Sequence, residues 1–339
     1  MQNSSTLPFR ISVIGNDDLG RKASLAYKLL AILIATVYAS TLAQLPDVQF
    51  HDYANYLVHA ENSWIRLLSL LSQGILVALS NEPVWMLINA GLSLFLKPES
   101  VVAAIVFFSA FVVSLTVIMA RPQQLLWLLV FLLLAMVVKN HLIHLRQGLA
   151  VAFFIAAWFT NARLLKYFLL ALTPLIHASF FFILMILFIS NLMLQIRLGP
   201  GIRSSVLVLL SLAVGAGVGY VAAFFGARQA KEYEFVMADA SGIGFLIWLS
   251  VLVIFAFEGR FFLRKHAFVL SLLIFYLVSY WFIEIAARIF ESGLLLVLLA
   301  GLSLTSWRLF AFKSIVFFVL FAATWLMRAT EPALGFGVG

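Results

Sequence analysis

Two histidines and an arginine stand together where one apolar run ends and the next begins, in the segment His141-Leu142-Ile143-His144-Leu145-Arg146. An arginine side chain keeps its charge at neutral pH, so a guanidinium at the entrance of an apolar helix needs a polar environment. Either Arg146 anchors the helix among lipid headgroups, or it faces a polar cavity and holds an anion. His177 follows one apolar segment later. The two interpretations depend on where these residues lie relative to the membrane.

The chemistry available to these residue types is proton transfer and phosphate binding. Histidine titrates near neutrality and suits a general base, whereas the planar guanidinium of arginine bonds two phosphate oxygens at once. His141 and His144 are spaced to chelate a metal, but no HExxH motif or carboxylate-rich helix accompanies them, so we predict no metal site. We interpret both histidines instead as residues at the membrane interface or as residues that support the side chains in contact with a substrate. The absence of cysteine excludes disulfides and thiol catalysis.

The elements that carry these residues are apolar. Of the 339 residues, 64% are hydrophobic and 11% charged, against roughly 45–50% and about 25% in soluble domains. Several apolar runs approach the ~20 residues of a spanning helix. The composition therefore predicts an all-α polytopic membrane protein with about 11–13 transmembrane or re-entrant helices. The formal charge of +8 is typical of basic cytoplasmic loops, so we expect no nucleic-acid partner. No Walker, GxGxxG or GxSxG motif indicates a nucleotide or other cofactor.

Loop charge predicts how the chain is threaded through the bilayer. We expect a cytoplasmic tail over 1–23, one transmembrane domain over 24–328 and a C-terminal tail over 329–339. Basic turns near Asn161–Lys166 and Glu258–His266 are predicted to be cytoplasmic by the positive-inside rule. The loops that then fall on the external face are near 46–63, 139–146, 226–242 and 283–291.

Two short apolar segments, Trp64–Leu79 and Val84–Leu96, are separated by Asn81-Glu82-Pro83. Neither reaches ~20 residues comfortably. They are either two tilted spans with Glu82 on the cytoplasmic side, or a re-entrant pair with Glu82 on the external side. Irregular backbone at membrane depth is tolerated only inside protein or beside a wet cavity, so a re-entrant pair implies a cavity.

The first predicted external loop mixes acidic and aromatic side chains, including Asp52, Tyr53 and Tyr56. This mixture suits sugar binding, because an aromatic ring stacks on a pyranose while a carboxylate accepts its hydroxyls. The alternative is an aromatic belt at the membrane interface with solvated acids.

The order of these motifs resembles the EpsG-type branch of the Wzy-like polysaccharide polymerases. The similarity is best from Phe50 to Ser190, and Arg288 with Phe290 resembles the late arginine of that family. The motifs that carry it are Asp52-Tyr53, Asn81-Glu82-Pro83, Leu145-Arg146-Gln147-Gly148-Leu149-Ala150 and His177-Ala178-Ser179.

The resemblance implies an enzyme of the bacterial inner membrane with a GT-C-like architecture. It is expected to polymerise undecaprenyl-pyrophosphate-linked oligosaccharide repeat units at the periplasmic or exterior face, with no metal or cofactor. A chain-length regulator protein is a further expected partner. Two other functions stay open: a transporter or flippase of lipid-linked oligosaccharides, and a ligase that transfers finished polymer to an acceptor lipid.

The resemblance and the residue inventory together assign roles to individual side chains. His177 is the favoured base for the acceptor hydroxyl, with Glu82 or Asp52 as alternatives. Two groups of residues are expected to contact the substrate. The pyrophosphate group is expected to contact Arg146, Arg288 and, less centrally, Arg228. The sugar is expected to contact Tyr53, Tyr56 and Gln147.

Overall fold

The computed structural model describes residues 24–45, 50–224, 242–282 and 286–337. Within these ranges the chain is helical and has no strand beyond one isolated bridge between Phe50 and Gly337. The helices in chain order are α1 (Leu25–Ala43), α2 (Tyr53–Gln73), α3 (Ile75–Ser80), α4 (Pro83–Ser93), α5 (Pro98–Ala120), α6 (Leu125–Leu132), α7 (Ala135–Leu142), α8 (Leu145–Phe159), α9 (Arg163–Ile176), α10 (Ser179–Gln195), α11 (Pro200–Phe224), α12 (Ile243–Ala256), α13 (Arg260–Lys265), α14 (Ala267–Ser279), α15 (Ala286–Gly301), α16 (Ser306–Ser314) and α17 (Thr324–Arg328).

The predicted all-α polytopic membrane class is confirmed. In the described ranges, four helices are long and apolar enough to cross a bilayer, namely Leu25–Ala43, Pro98–Ala120, Pro200–Gly217 and Ser306–Arg328. The last of these combines α16, a π-helical segment over Ile315–Ala323 and α17. Four further apolar helices in these ranges are shorter, with 10–17 residues, and α6 and α7 are long enough only as a bent pair. Many predicted apolar segments are therefore short or broken helices within one bundle.

α6 and α7 form one broken helix, and its second half, α7, contains His141. α6 and α7 meet at an angle of 67° across the break at residues 133–134. The carbonyls freed by the break are satisfied from other helices, because the Tyr38 hydroxyl donates to the Leu132 carbonyl at 2.8 Å and the Trp325 indole to that of Leu133 at 2.7 Å. Irregular backbone inside a membrane bundle survives only with such partners.

The region between residues 50 and 96 is more helical than predicted. The predicted loop over 46–63 is helix from Tyr53 onwards, and the two predicted segments after it are the three helices α2, α3 and α4. Buried residues recur at helical spacing along α2, with Tyr56, Ala60, Ser63 and Leu67 on one side. Polar residues such as Asn55, Glu61 and Asn62 lower the hydrophobicity of the first half of this helix, and that half was predicted to be a loop.

Other predicted loops are also shorter than expected. The loop predicted over 139–146 reduces to the two residues 143–144 between α7 and α8, and α15 begins at Ala286 within the loop predicted over 283–291. His141 is only 1% exposed, and its Nδ1 atom lies 3.0 Å from the Ser109 hydroxyl. The interfacial interpretation of His141 is therefore wrong, because the surrounding apolar side chains bury it against α5. The N-terminal tail and most of the loop near 226–242 lie outside the described residues.

The core forms around α8, which packs against α5, α7, α9 and α15. Four aromatic rings fill its centre, where Phe154 contacts Trp158, Phe180 and Phe268. These rings hold α10 and α14 against α8 along the bundle. The N-terminal ends of α8 and α10 lie together, and this end of the bundle holds the predicted site residues.

Candidate functional site

Three interruptions between helices meet at one end of the bundle. Glu82 precedes α4, His144 precedes α8, and His177 separates α9 from α10. Local sequence explains two of them: Pro83 occupies the first turn of α4, and Pro174 lies in the last turn of α9. At the start of α10 the Ala178 backbone N–H points at the Glu82 side chain, and a helix N-terminus favours negative charge there.

The negative charge that occupies this volume is the carboxylate of Glu82, which is 5% exposed. The Arg146 guanidinium donates through Nη1 to Glu82 Oε2 at 2.5 Å. Oε1 lies 3.0 Å from His177 Nδ1 and accepts the Ala178 backbone N–H at 3.2 Å. Burying a carboxylate costs free energy because the charge leaves water. Here the ion pair with Arg146 and the two further hydrogen bonds offset that cost.

Glu82 stays ionised in this environment. It lies between α3 and α4, outside the membrane-spanning helices. Burial alone raises the pKa of Glu82, but the charge and hydrogen bonds of Arg146 and His177 outweigh burial, and the net pKa is well below its ordinary value. Its backbone adopts φ 59°, a left-handed conformation that is unfavourable for glutamate. Such an outlier at a buried ion pair points to a functional constraint.

The imidazole of His177 is oriented by this carboxylate. Because an ionised carboxylate only accepts hydrogen bonds, Nδ1 of His177 carries a proton in this contact, and the tautomer with its proton on Nδ1 has its lone pair on Nε2. Nε2 is buried and has no hydrogen-bond partner among the described residues. This arrangement resembles the histidine–carboxylate pairs that act as general bases, in which the carboxylate fixes the tautomer.

Arg146 lies in the first turn of α8, at a break that is held by Tyr56. The Tyr56 hydroxyl donates to the Ile143 carbonyl at 2.8 Å and accepts the Leu145 N–H at 3.2 Å. Tyr56 is 4% exposed and packs edge-on against Trp85. The structure thus uses its hydroxyl to fix the backbone beside Arg146, and sugar binding by Tyr56 stays a prediction.

Gln147 connects this cluster to α15. It is 1% exposed, and its side-chain amide donates to the Arg288 carbonyl at 2.9 Å. The Ser292 hydroxyl donates to the same carbonyl at 3.0 Å and lies 3.1 Å from the Ser179 hydroxyl at the start of α10. The first turn of α15, with the exposed side chain of Arg288, is therefore held at the same end of the bundle as Arg146 and His177.

Positive charge predominates around His144. Burial and the neighbouring charges of Lys139, Arg288, His177 and Arg146 lower the pKa of His144 to about 3, so this ring is neutral. Lys139 is paired with Glu291 at 2.9 Å across α7 and α15. Three cations and two carboxylates surround the site, so an anion entering it would meet a net positive field.

Two predicted site residues lie at the start of α2. Asp52 accepts a hydrogen bond from Asn55 at 3.0 Å at the start of α2, and Tyr53 is half-buried one residue later. No hydrogen bond or ion pair joins Asp52 to Glu82, Arg146 or His177 among the residues that the structure describes. Arg228 lies outside the described residues. Within the described ranges no group of three or more His, Cys, Asp or Glu residues could hold a metal.

Several contributors were not predicted from the sequence. The Lys139–Glu291 pair and the Ser179–Ser292 contact join residues far apart in the chain, so no local sequence pattern predicts them. Gly148 had a signal, since it stands inside the arginine motif. A Cβ at Gly148 would overlap the Asn140 carbonyl oxygen, so only glycine lets α7 and α8 approach this closely.

Comparisons with known proteins agree with this picture. No curated protein and no solved structure matches the chain. A family model described as the EpsG family matches residues 28–335, which include every side chain of the cluster and nearly the whole described bundle. Membership of this family indicates a polysaccharide polymerase-like protein. The chain is therefore a multi-pass membrane protein that belongs to the EpsG family.

Proposed function

We propose that this protein is a glycosyltransferase that polymerises undecaprenyl-pyrophosphate-linked oligosaccharide repeat units at the external face of the bacterial inner membrane. The observation that carries the proposal is the buried cluster of Glu82, Arg146 and His177. It combines an oriented base with an arginine in a positively charged environment, which are the groups that sugar transfer from a pyrophosphate carrier needs.

The acceptor hydroxyl is deprotonated by His177 in this proposal. Its Nε2 takes the proton as the new bond forms from the hydroxyl oxygen to the anomeric carbon of the donor. The Glu82 carboxylate, already bonded to Nδ1, stabilises the imidazolium that results. Glu82 itself is a poor base because three donors occupy its oxygens and its pKa is lowered. Asp52, the other alternative, has no hydrogen bond or ion pair with the cluster among the residues that the structure describes.

The donor pyrophosphate is held by Arg146. One of its five N–H groups is bonded to Glu82, and the guanidinium can offer others to phosphate oxygens. The bond between the anomeric carbon and the carrier oxygen breaks as the new glycosidic bond forms, and its electron pair leaves with the pyrophosphate. Lys139 and Arg288 add positive charge near the departing anion. The proton of the acceptor hydroxyl is then on His177, and the electron pair of the broken bond is on the pyrophosphate. We expect no metal or cofactor in this step.

The distribution of arginines supports an external site. The 17 residues of α10 span about 25 Å and separate His177 from the basic turn that begins after Gln195. Arg163, the first residue of α9, and the turn after α12 lie at that distant end too. Because basic loops favour the cytoplasm, the end with His177 is the external one in this proposal.

The decisive experiment is elongation of purified lipid-linked repeat units by the full chain in liposomes. We expect a ladder of product lengths from the unchanged protein and none from Arg146→Ala, with both proteins inserted at equal levels. Arg163→Ala is the matched control, because this exposed arginine lies at the other end of the bundle. A normal ladder from Arg146→Ala would refute the role of Arg146.

The same products separate the two other functions. A single transfer of a long chain to a different lipid would identify a ligase, and lipid movement without any new glycosidic bond would identify a transporter. Either result would overturn the polymerase proposal. Addition of a chain-length regulator should change the distribution of lengths and leave the linkage unchanged.

A further inference from the structure

A second cluster of cations lies at the other end of α10. A cavity of about 470 Å³ lies between the turn that joins α10 to α11 and the short helix α13. Four arginines line it together with apolar side chains, and no acidic residue does; the arginines are Arg197, Arg203, Arg260 and Arg264. Four guanidinium groups around one cavity repel each other unless an anion is present.

Arg203 shows that this cluster differs from a set of solvated surface charges. Its side chain is only 7% exposed, and its one hydrogen bond among the described residues is from Nη2 to the Leu263 carbonyl at a long 3.5 Å. Its Nε is buried and has no partner among the residues that the structure describes. A buried N–H without a partner is costly, particularly on a charged group. A phosphate oxygen in the cavity would satisfy it.

An apolar groove continues from this cavity along the bundle. The groove encloses about 420 Å³ between α11, α12 and α14, and it shares Pro200 and Arg203 with the arginine cavity. It follows α14 from Ala267 to Val278, a length of about 17 Å. Its walls are nearly all aliphatic, and Leu249 and Ala256 of α12 are exposed along it. A charged cavity that opens directly into a long apolar groove has the shape and polarity of a lipid site.

We propose that this protein binds an anionic phospholipid here, with its phosphate in the arginine cavity and an acyl chain in the groove. Arginine pairs with phosphate through two parallel N–H···O bonds, and basic pockets between membrane helices accommodate lipid headgroups. A headgroup with two phosphates, as in cardiolipin, balances four guanidinium charges better than a headgroup with one. The shared residue Arg203 favours a lipid over a free phosphate, which leaves the groove empty.

This site is separate from the Glu82–Arg146–His177 cluster. The two lie at opposite ends of α10, about 25 Å apart, and have no side chain in common. The proposal therefore stands whatever reaction the first cluster performs. If the first cluster faces outwards, the phospholipid belongs to the cytoplasmic leaflet.

Native mass spectrometry of the full chain in detergent tests the proposal. The probes are cardiolipin, phosphatidylglycerol, phosphatidylcholine and inorganic pyrophosphate. We expect one retained cardiolipin, weaker binding of phosphatidylglycerol and none of phosphatidylcholine. Arg203→Gln and Arg264→Gln should each weaken cardiolipin binding about tenfold. Arg163→Gln, an exposed arginine at the same end and outside the cavity, should bind as the unchanged protein does.

Two further results decide between lipid and free anion. Ala256→Trp places a large side chain in the groove and should weaken cardiolipin binding while leaving the arginine cavity open. If Ala256→Trp binds cardiolipin normally and pyrophosphate displaces the lipid, the site takes a soluble anion and the lipid proposal is wrong. Equal binding of phosphatidylcholine, or unchanged binding by Arg264→Gln, would also overturn it. Arg264 is exposed, so its replacement keeps the test informative should Arg203→Gln fail to fold.

Discussion

The two ends of α10 hold arginine clusters of opposite design. At the His177 end, Arg146 is paired with a buried carboxylate that also orients a histidine. At the other end, four arginines share a cavity that no acidic side chain lines. The difference is one carboxylate, and it changes what an arginine can do. A paired arginine is held in place and contributes to a shaped site, whereas an unpaired cluster is completed by a ligand.

The backbone around the first cluster is held by more side-chain contacts than the backbone around the second. The first cluster is built on three helix interruptions that other side chains hold in place, such as Tyr56 and Gln147. The second is built on turns and the six-residue helix α13, and three of its four arginines are at least partly exposed. A site that performs chemistry needs fixed geometry, and a site that binds a mobile lipid headgroup does not.

The largest effect that would test this comparison is expected from Glu82→Gln. The change leaves Arg146 as a buried cation without its ionic partner, which costs about 3–5 kcal/mol when a buried pair is broken. We expect a lower unfolding temperature in detergent and no polymer. Glu61→Gln is the control, since Glu61 is exposed on α2. An unchanged unfolding temperature would show that the ion pair does not hold the first cluster together.

Replacement of the base should affect the rate and leave binding intact. His177→Gln removes the imidazole, and loss of a general base lowers kcat roughly 10²–10⁴-fold. The KM for the lipid-linked donor should change little, because Arg146 is still present. His51→Gln, in an exposed position, should behave as the unchanged protein does. A raised KM with normal kcat would instead place His177 on the pyrophosphate and return the role of base to another residue.

A smaller effect is expected from the packing behind Arg146. Gly148→Ala puts a Cβ against the Asn140 carbonyl and forces α7 away from α8, which typically costs about 1–3 kcal/mol. Thermal unfolding in detergent measures the loss. Gly91→Ala is the matched control, because open space surrounds that position on α4. Equal stability of the two variants would mean that the close approach of α7 and α8 is not required.

The smallest effect is expected from Tyr56→Phe, which tests a supporting role against a sugar-binding role. Without the hydroxyl, the Ile143 carbonyl and the Leu145 N–H lose their partner, at a cost of about 1–2 kcal/mol in stability. The KM for the oligosaccharide should be unchanged. A raised KM at unchanged stability would assign Tyr56 to the sugar path.

The sequence by itself determined the class of the protein. Hydropathy and helix length identify a membrane-embedded helical bundle because lipid admits few other structures. The motif around Arg146 and the histidine after Pro174 lie at the same end of the bundle, and the family match agrees with the resemblance. The first half of α2, from Tyr53 to Ser63, was predicted to be a loop, since its mixed polarity is typical of a loop near the membrane when only composition is considered.

Only the tertiary structure decided which side chains meet. Glu82 lies 64 residues from Arg146 and 95 from His177, and no local spacing relates them. The structure therefore supplied the contact of Glu82 with His177, the burial of His141 and the cavity that joins Arg197 and Arg203 to Arg260 and Arg264. Helical periodicity sets which face of one helix is buried. The contacts between interruptions in different helices depend on how the whole bundle packs. Local sequence patterns do not predict that packing.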